Sequence, residues 1–177
     1  MAGTRSGRMV AAPGSPEDMD MRKSIIPSGG QDEPTPAGDW LDLDRLAAVE
    51  VTSEDPGHPV ENALIPGRGP GWAAAGPGSQ TIRLRFAAPQ RIRRAWLHFT
   101  EPTRARTQEF VLRWATADGQ PTREVVRQQW IFAPGGSTHE TEDYRVDLWG
   151  VTVLELTISP DISGGTARAS LAELRLA

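Results

Sequence analysis

Five side chains in the second half of the chain have the chemistry to bind a polar ligand. Arg104 and Arg106 lie in the segment TEPTRART, His139 and Glu140 in APGGSTHETE, and Asp161 in SPDISGGTA. Arginine donates charge-assisted hydrogen bonds to carboxylates and phosphates, and it can also bond sugar hydroxyls. These residue types favour recognition of a hydroxyl-rich or anionic ligand.

Trp130 is a sixth candidate, because an indole ring can stack on a sugar ring. Its strand parity is that of Phe132, however, which favours a position in the core. The loop residues also have ordinary structural interpretations, since arginine and histidine side chains in loops are mostly solvated. Asp161, in turn, can bond its own backbone within a turn. The sequence leaves both interpretations open for each residue.

No catalytic constellation accompanies these residues. The chain has no cysteine, no GxSxG or HExxH motif and no phosphate-binding loop. Its three histidines fall in unrelated segments without metal-ligand spacing: His58, His98 and His139. Glu140, Glu142 and Asp143 could in principle act on a glycosidic bond, yet nothing distinguishes them from a solvated acidic loop. The sequence therefore predicts a binding domain and no enzyme.

Alternating apolar residues predict the scaffold that carries these loops. The alternation is regular in several short segments: 80–86, 94–99, 110–114, 144–148, 151–158 and 168–176. With 18 Gly and 15 Pro among 177 residues, turns are frequent, and only Asp42 is placed to cap a short helical turn. The pattern predicts an all-β fold, an antiparallel β-sandwich. Thr122–Phe132 keeps no single parity, which predicts a β-bulge.

The connections between these segments differ in length. Short turns are predicted at 87–90, 117–121 and 149–150, and long loops at 100–107, 133–142 and 159–167. A further long, Gly-rich loop, 63–79, surrounds Trp72, which reads as a core residue. If successive strands are antiparallel, the three long loops after residue 99 gather at one end. Because binding residues tend to lie on loops of a rigid scaffold, that end is the predicted binding site.

The N-terminal region differs in composition from the rest. Residues 1–38, rich in Gly, Pro, Ser and charge, are predicted to form a disordered tail, and residues 39–177 the folded domain. The N-terminus lacks the apolar run of a secretory signal, and no segment approaches a membrane span. These features predict a cytoplasmic protein with no membrane partner.

One predicted strand face is basic and could suit phosphates and a stacked base: Arg83, Arg85, Arg94, Trp96 and His98. The net charge of −4 and the lack of a nucleic-acid-binding motif argue against nucleic acid as the partner. The acidic segment Asp39–Glu61, or a partner chain, could cover this face instead.

Several segments carry a family resemblance when they are taken in order. Asn62-Ala63-Leu64 precedes the Gly-rich loop that ends in Trp72, and then come QTIRLRF, IRRAWLHF, FVLRWATADG, VTVLELTI and ASLAELRL. Together they resemble the discoidin, or coagulation factor 5/8 type C, domain, a galactose-binding-like jelly roll also used by carbohydrate-binding modules. The resemblance implies non-catalytic carbohydrate recognition through loops at one end of the sandwich. The alternative is a protein–protein interaction domain that has lost sugar binding.

The resemblance also implies a possible structural calcium. Many members of the family have an Asp-Gly-Asp segment before the tryptophan, which helps a C-terminal Glu to hold the ion. Here Ile65-Pro66-Gly67-Arg68 replaces that segment, and only Glu173 matches. Calcium needs several carboxylate oxygens, so the sequence predicts that no cofactor is required. The polar loops TEPTRART and APGGSTHETE also lack the apolar tips of membrane-binding members.

Overall fold

The structure, a computed structural model, describes residues 38–117 and 120–177. The strands in this part of the chain are β1 (Ala47–Val51), β2 (Trp72–Pro77), β3 (Gln80–Thr100), β4 (Arg106–Ala115), β5 (Arg123–Phe132), β6 (His139–Ser159), β7 (Arg168–Leu171) and β8 (Glu173–Leu176). The helices described, α1 (Leu43–Leu46) and α2 (Glu61–Leu64), have four residues each, and neither could cross a membrane. The predicted tail, 1–38, lies outside the described residues apart from Gly38.

The two longest strands, β3 and β6, organise the fold. They pair antiparallel from one end to the other, and their register shifts between Arg85 and Arg94. One half of this pair joins β1, β4 and β5 in the order β1-β3-β6-β4-β5, which we call the wide layer. The other half joins β8 in the order β8-β3-β6, the narrow layer. The predicted all-β antiparallel sandwich is thus confirmed, with β2 and β7 as a separate pair.

Two of the predicted turns are wrong. Residues 87–90 lie within β3 and residues 149–150 within β6, so the chain bends at these points without reversing. Gly150, with φ of 67°, supplies the left-handed conformation at the second bend. A break in alternation shows where a strand is irregular, but it does not show whether the chain turns back. The third predicted turn, 117–121, does join two paired strands, although Asp118 and Gly119 lie outside the described residues.

The predicted bulge in the segment 122–132 is confirmed. Leu112 lies opposite Val126 and Arg113 lies opposite Glu124, which leaves Val125 without a partner on β4. Two predicted loops are shorter than expected. The loop 63–79 contains the end of α2 and all of β2, and the loop 133–142 ends at Thr138 because β6 begins at His139.

The core lies between the two layers. Phe110 of the wide layer stacks on Phe99 of the narrow layer with ring centroids 5.1 Å apart. Trp72 is 1% exposed, which confirms its predicted place in the core. Burial of each large side chain of this kind contributes about 1.5–3 kcal/mol to folding. Both layers are therefore held face to face by the inward residues of each strand.

Gly71, just before β2, allows the closest backbone approach in this region. Its φ is 101°, and a Cβ there would lie 2.5 Å from the carbonyl oxygen of Leu171. We expect Gly71→Ala to lower the free energy of unfolding by about 1–3 kcal/mol in guanidinium denaturation. Gly76→Ala is the control, because a Cβ there would meet no described atom within 4 Å. Equal stability of the two variants would contradict this expectation.

Candidate binding site

Backbone hydrogen bonds bring the three long loops together at one end of the sandwich. The amide of Glu101 donates to the carbonyl oxygen of Thr138 at 2.8 Å, which joins the first loop to the second. The amide of Ile162 donates to the carbonyl oxygen of Thr107 at 2.9 Å, which joins the third loop to the start of β4. The predicted convergence of these loops therefore occurs, although two of the turns used to infer it do not exist.

Arg106 lies at the junction of these loops, and its side chain is only 2% exposed. Its Nε lies 3.0 Å from Oε2 of Glu101, and its Nη1 donates to the carbonyl oxygen of Pro160 at 2.8 Å. Burial lowers the pKa of Arg106, while the carboxylates of Glu101 and Asp161 oppose this effect. Arg106 is neither a solvated loop arginine nor freely available to a ligand, because its contacts hold the loops to each other.

The other two loop candidates differ from Arg106. Asp161 accepts hydrogen bonds from the amide of Ser163 at 3.0 Å and from its hydroxyl at 2.7 Å. Asp161 thus caps its own turn, and these two bonds lower the pKa of its carboxyl. Arg104 is exposed on the first loop. Neither residue is drawn into a common pocket with Arg106.

His139 and Glu140 were predicted as a pair, and the structure separates them. Successive residues of a strand point to opposite faces of the sheet. The ring of His139 stacks on that of His98 at 5.8 Å, and His98 stacks on Trp96 at 5.9 Å, both outside the narrow layer. Glu140 lies opposite Phe99 on β3, and its residue is 1% exposed. Glu140 therefore points between the layers, and its interpretation as part of a solvated acidic loop is wrong.

A set of polar and aromatic side chains surrounds Glu140 between the layers, and we call it the inner polar cluster: Gln108, Trp130, Glu140, Glu142 and Tyr144. Gln108 of β4 lies opposite Trp130 of β5. Two residues further along β4, the ring of Phe110 contacts that of Tyr144 edge-on at 6.5 Å. Because strand residues two apart share a face, Gln108 projects between the layers as Phe110 does, and Glu142 and Glu140 do so as Tyr144 does.

Several polar atoms of this cluster are buried without a hydrogen-bond partner among the described residues. They are both side-chain polar atoms of Gln108, both carboxyl oxygens of Glu140, the indole nitrogen of Trp130 and the hydroxyl of Tyr144. Gln108 is 0% exposed, so its amide cannot be satisfied at the surface. Buried polar groups in native proteins nearly always have partners, either in the protein or in ordered water. The inner polar cluster is therefore the strongest candidate for a binding site.

The electrostatics of the cluster are those of crowded acids in a poorly solvated place. Burial, with a contribution from the Glu142 carboxylate, raises the pKa of Glu140 from 4.5 to about 8. Burial also raises the pKa of Glu142, and burial together with Glu142 raises that of the Tyr144 hydroxyl. Shifts of this size are typical of functional sites, because folding stability alone does not favour them.

One side of the sandwich gives access to this cluster. β5 and the first half of β6 are the edge strands of the two layers, and the loop 133–138 joins them directly. Their inward residues are only partly buried at this edge: Val126, Gln128, Trp130, Glu142, Tyr144 and Val146. We call this opening the lateral groove. Of the residues predicted from sequence, it contains Trp130 and Glu140.

Sequence reasoning missed Gln108 and Tyr144 as site residues. Gln108 shares its strand parity with Phe110 and Leu112, so it is a polar residue at a position that should face the core. That conflict between residue type and parity was a usable signal. Tyr144 gave no such signal, because a tyrosine at an inward position is ordinary core composition.

The predicted basic face is divided between the two layers, with Arg83 and Arg85 outside the wide layer and Arg94, Trp96 and His98 outside the narrow layer. Its arginines are neutralised within the protein. Nη2 of Arg83 lies 2.6 Å from Oε2 of Glu155, and Nε of Arg85 lies 2.6 Å from Oε1 of Glu50 on β1. Arg94 pairs with Asp143 at 2.7 Å, and its guanidinium lies 4.7 Å from the ring centroid of Trp40. The acidic N-terminal segment thus covers part of this face. A cleft of about 400 Å³ beside Glu50 and Arg83 is bordered by these satisfied ion pairs.

The residues around Glu173 do not fit a calcium ion. The carboxylate of Glu173 forms an ion pair with the guanidinium of Arg175, which is buried. No three acidic, histidine or cysteine side chains within residues 38–117 and 120–177 are grouped to hold a metal. Calcium binding needs several anionic oxygens, but here the neighbour of Glu173 is the Arg175 guanidinium, whose positive charge would repel the ion.

Known proteins resemble this chain in structure, whereas no family model and no curated sequence matches it. A family 32 carbohydrate-binding module of AlyQ, in complex with 4,5-unsaturated mannuronic acid, has 19% identity and a TM-score of 0.55 over 75% of this chain and 95% of that one. The family 32 module from C. perfringens NanJ, in complex with galactose, has 14% identity and a TM-score of 0.56 over 77% and 96%. A family 32 module from Clostridium perfringens, in complex with GalNAc-β-1,3-galactose, has 18% identity and a TM-score of 0.56 over 77% and 98%.

The fold is of the discoidin type. This confirms the resemblance inferred from the strand patterns and the loop before Trp72. The part of each module that aligns with this chain covers nearly the whole length of that module. At identities below 20%, the similarity establishes the fold, and the ligand has to be inferred from the side chains of this chain.

Proposed function

We propose that this discoidin-type domain binds carbohydrate without catalysis, and that the ligand lies in the lateral groove. The observation that carries the proposal is the set of buried, unsatisfied polar atoms on Gln108, Glu140 and Trp130 beside the partly buried rings of Trp130 and Tyr144. A sugar offers an apolar face to an aromatic ring and hydroxyl groups to polar side chains. Ligand sites commonly combine such an apolar lining with a few convergent polar groups.

The structural neighbours support the same class of ligand. Those described above were solved with galactose, with GalNAc-β-1,3-galactose and with an unsaturated mannuronic acid. The arrangement of acids supports a non-catalytic role. Glycosidases place two carboxyl groups on either side of the scissile bond. Glu140 and Glu142 project from one strand, and the inward residues of β4 and β5 include no acid opposite them.

Trp130 provides a direct test of this site. We expect Trp130→Ala to weaken binding to a glycan identified on an array by about tenfold or more, since stacking on an aromatic ring would be lost. Isothermal titration calorimetry with the full chain measures this effect. Trp149→Ala is the matched control, because Trp149 is 59% exposed and contacts Arg91 outside the groove. A blank array, or a loss of binding in the control alone, would refute the proposal.

A second candidate function is interaction with a protein partner. Ile131 is 68% exposed and Ile162 is 51% exposed. Both adjoin Thr107, since Ile131 lies opposite it on β5 and Ile162 bonds its carbonyl oxygen. Exposed apolar residues that lie together often mark interaction sites. A partner that is captured by the native chain and lost when both isoleucines are replaced by serine would favour this function. The cytoplasmic localisation stays a prediction.

A further inference from the structure

The lateral groove has a charge that limits which sugars it can accept. Glu140 and Glu142 project inward from β6, and Tyr144 follows them on the same face. The inward residues facing them from β3 are uncharged: Ala95, Leu97 and Phe99. Those from β5 are Val126, Gln128 and Trp130, which carry no charge either. The groove is therefore acidic wherever these elements line it.

Arg106 is the one arginine among the inward residues of β4, and its charge is already matched. It contacts Glu101 and the carbonyl oxygen of Pro160, and Asp161 acts on it electrostatically. Moving the guanidinium toward a ligand would leave Glu101 without this partner in a site that is mostly buried. Buried charges that lose their partner carry a large penalty. Arg106 therefore does not neutralise the carboxylates of the groove.

Two independent features show what a ligand must provide. The carboxyl oxygens of Glu140 accept no hydrogen bond from the described chain, so they require donors. Gln108, fully buried on the facing strand, likewise has both polar side-chain atoms unsatisfied. Trp130 lies opposite Gln108, Tyr144 lies on the same face of β6 as Glu140, and aromatic faces attract cations. The groove is thus suited to a cationic donor attached to a ring that can stack.

We propose that the lateral groove selects an amino sugar, whose protonated amine is held by Glu140 and Glu142 and whose ring lies against Trp130. This inference rests on the proposed carbohydrate-binding function and narrows it to one class. An ammonium group offers several hydrogen-bond donors and a positive charge, which Glu140 lacks in the protein. A uronate would instead bring its own negative charge beside two acids whose pKa burial already raises.

Binding of an ammonium group should release the proton of Glu140, so the affinity should depend on pH. Burial and the neighbouring Glu142 raise the pKa of Glu140 to about 8, so this carboxyl is mostly protonated in the free protein at pH 6. Pairing with an ammonium favours the ionised carboxylate, and one proton is then released to solvent on binding. Affinity should consequently rise between pH 6 and pH 7.5, while the amine still carries its proton.

Calorimetry of the full chain with a small panel of sugars tests the inference. The panel is glucosamine, galactosamine, their N-acetyl forms and galacturonate, with spermidine as a sugar-free amine. We expect an amino sugar to bind about tenfold or more tightly than its N-acetyl form, with no detectable binding of galacturonate. Glu140→Gln should reduce that ratio to about one and remove the pH dependence, whereas the exposed Glu61→Gln should change neither.

Different outcomes separate this inference from the proposed function. Equal binding of an amino sugar and its N-acetyl form would overturn the inference and leave carbohydrate binding in place. Binding of spermidine as tight as that of the amino sugar would also overturn it, because the sugar ring would then contribute nothing. If no saccharide binds at all, the proposed function fails as well.

Discussion

Replacement of Arg106 by alanine is expected to lower the free energy of unfolding by about 3–5 kcal/mol. The side chain is 2% exposed and joins Glu101, Pro160 and the start of β4. Its removal leaves the Glu101 carboxylate, whose side chain is 14% exposed, without its cation. Glu101 keeps its hydrogen bonds from Thr103 and Arg104, but its mostly buried charge is then uncompensated, which is strongly destabilising. Guanidinium denaturation followed by circular dichroism measures the difference.

Arg104→Ala is the matched control for this prediction. Arg104 lies two residues earlier in the same loop but is exposed, so its replacement should change stability by less than about 0.5 kcal/mol. The double variant Arg106→Met with Glu101→Gln should recover part of the loss, because it leaves no uncompensated charge. If Arg106→Ala and Arg104→Ala are equally stable, Arg106 does not hold the loops together.

The second large effect concerns the acid at the centre of the inner polar cluster. The pKa of Glu140 is raised from 4.5 to about 8, so the folded chain holds this proton more tightly than the unfolded chain does. Its contribution to stability is therefore complete below pH 4.5 and is lost as pH rises to about 8. At pH 8.5 we expect Glu140→Gln to raise the free energy of unfolding by about 3–4 kcal/mol. At pH 4 the variant and the native chain should differ little.

This comparison is made between proteins at each pH, so the titration of other acids cancels. Glu61→Gln, a change at an exposed position on α2, is the matched control variant. A constant difference between Glu140→Gln and the native chain from pH 4 to pH 8.5 would show that Glu140 does not titrate abnormally.

The two predictions assign different roles to Arg106 and Glu140, both of which the sequence pattern predicts as ligand-binding loop residues. Arg106 stabilises the loop end, and its loss should lower the free energy of unfolding. Glu140 destabilises the native state near neutral pH, which is common where a residue is kept for binding. A variant that gains stability and loses binding would identify Glu140 as a binding residue.

Much of the fold followed from local pattern. Alternation in Ile82–Phe86 and Val151–Ile158 defined inward residues that are indeed buried, and the mixed parity of 122–132 correctly indicated the bulge at Val125. The sequence pattern did not predict that each of β3 and β6 contributes one half to the wide layer and the other half to the narrow layer. β3 and β6 continue through their bends because both halves of β3 pair with β6. That pairing joins residues that are far apart in the sequence.

The sequence by itself determined strand parity, the all-β class and the residue types available for binding. Tertiary structure alone decided that Arg106 is buried at the loop junction, that His139 and Glu140 lie on opposite faces, and that Glu140 and Gln108 are both buried between the layers. The physical reason is that parity is a property of one strand, with a period of two residues along the chain. Which inward faces meet depends instead on the bends of β3 and β6 and on the loop 133–138, which places two edge strands beside one groove.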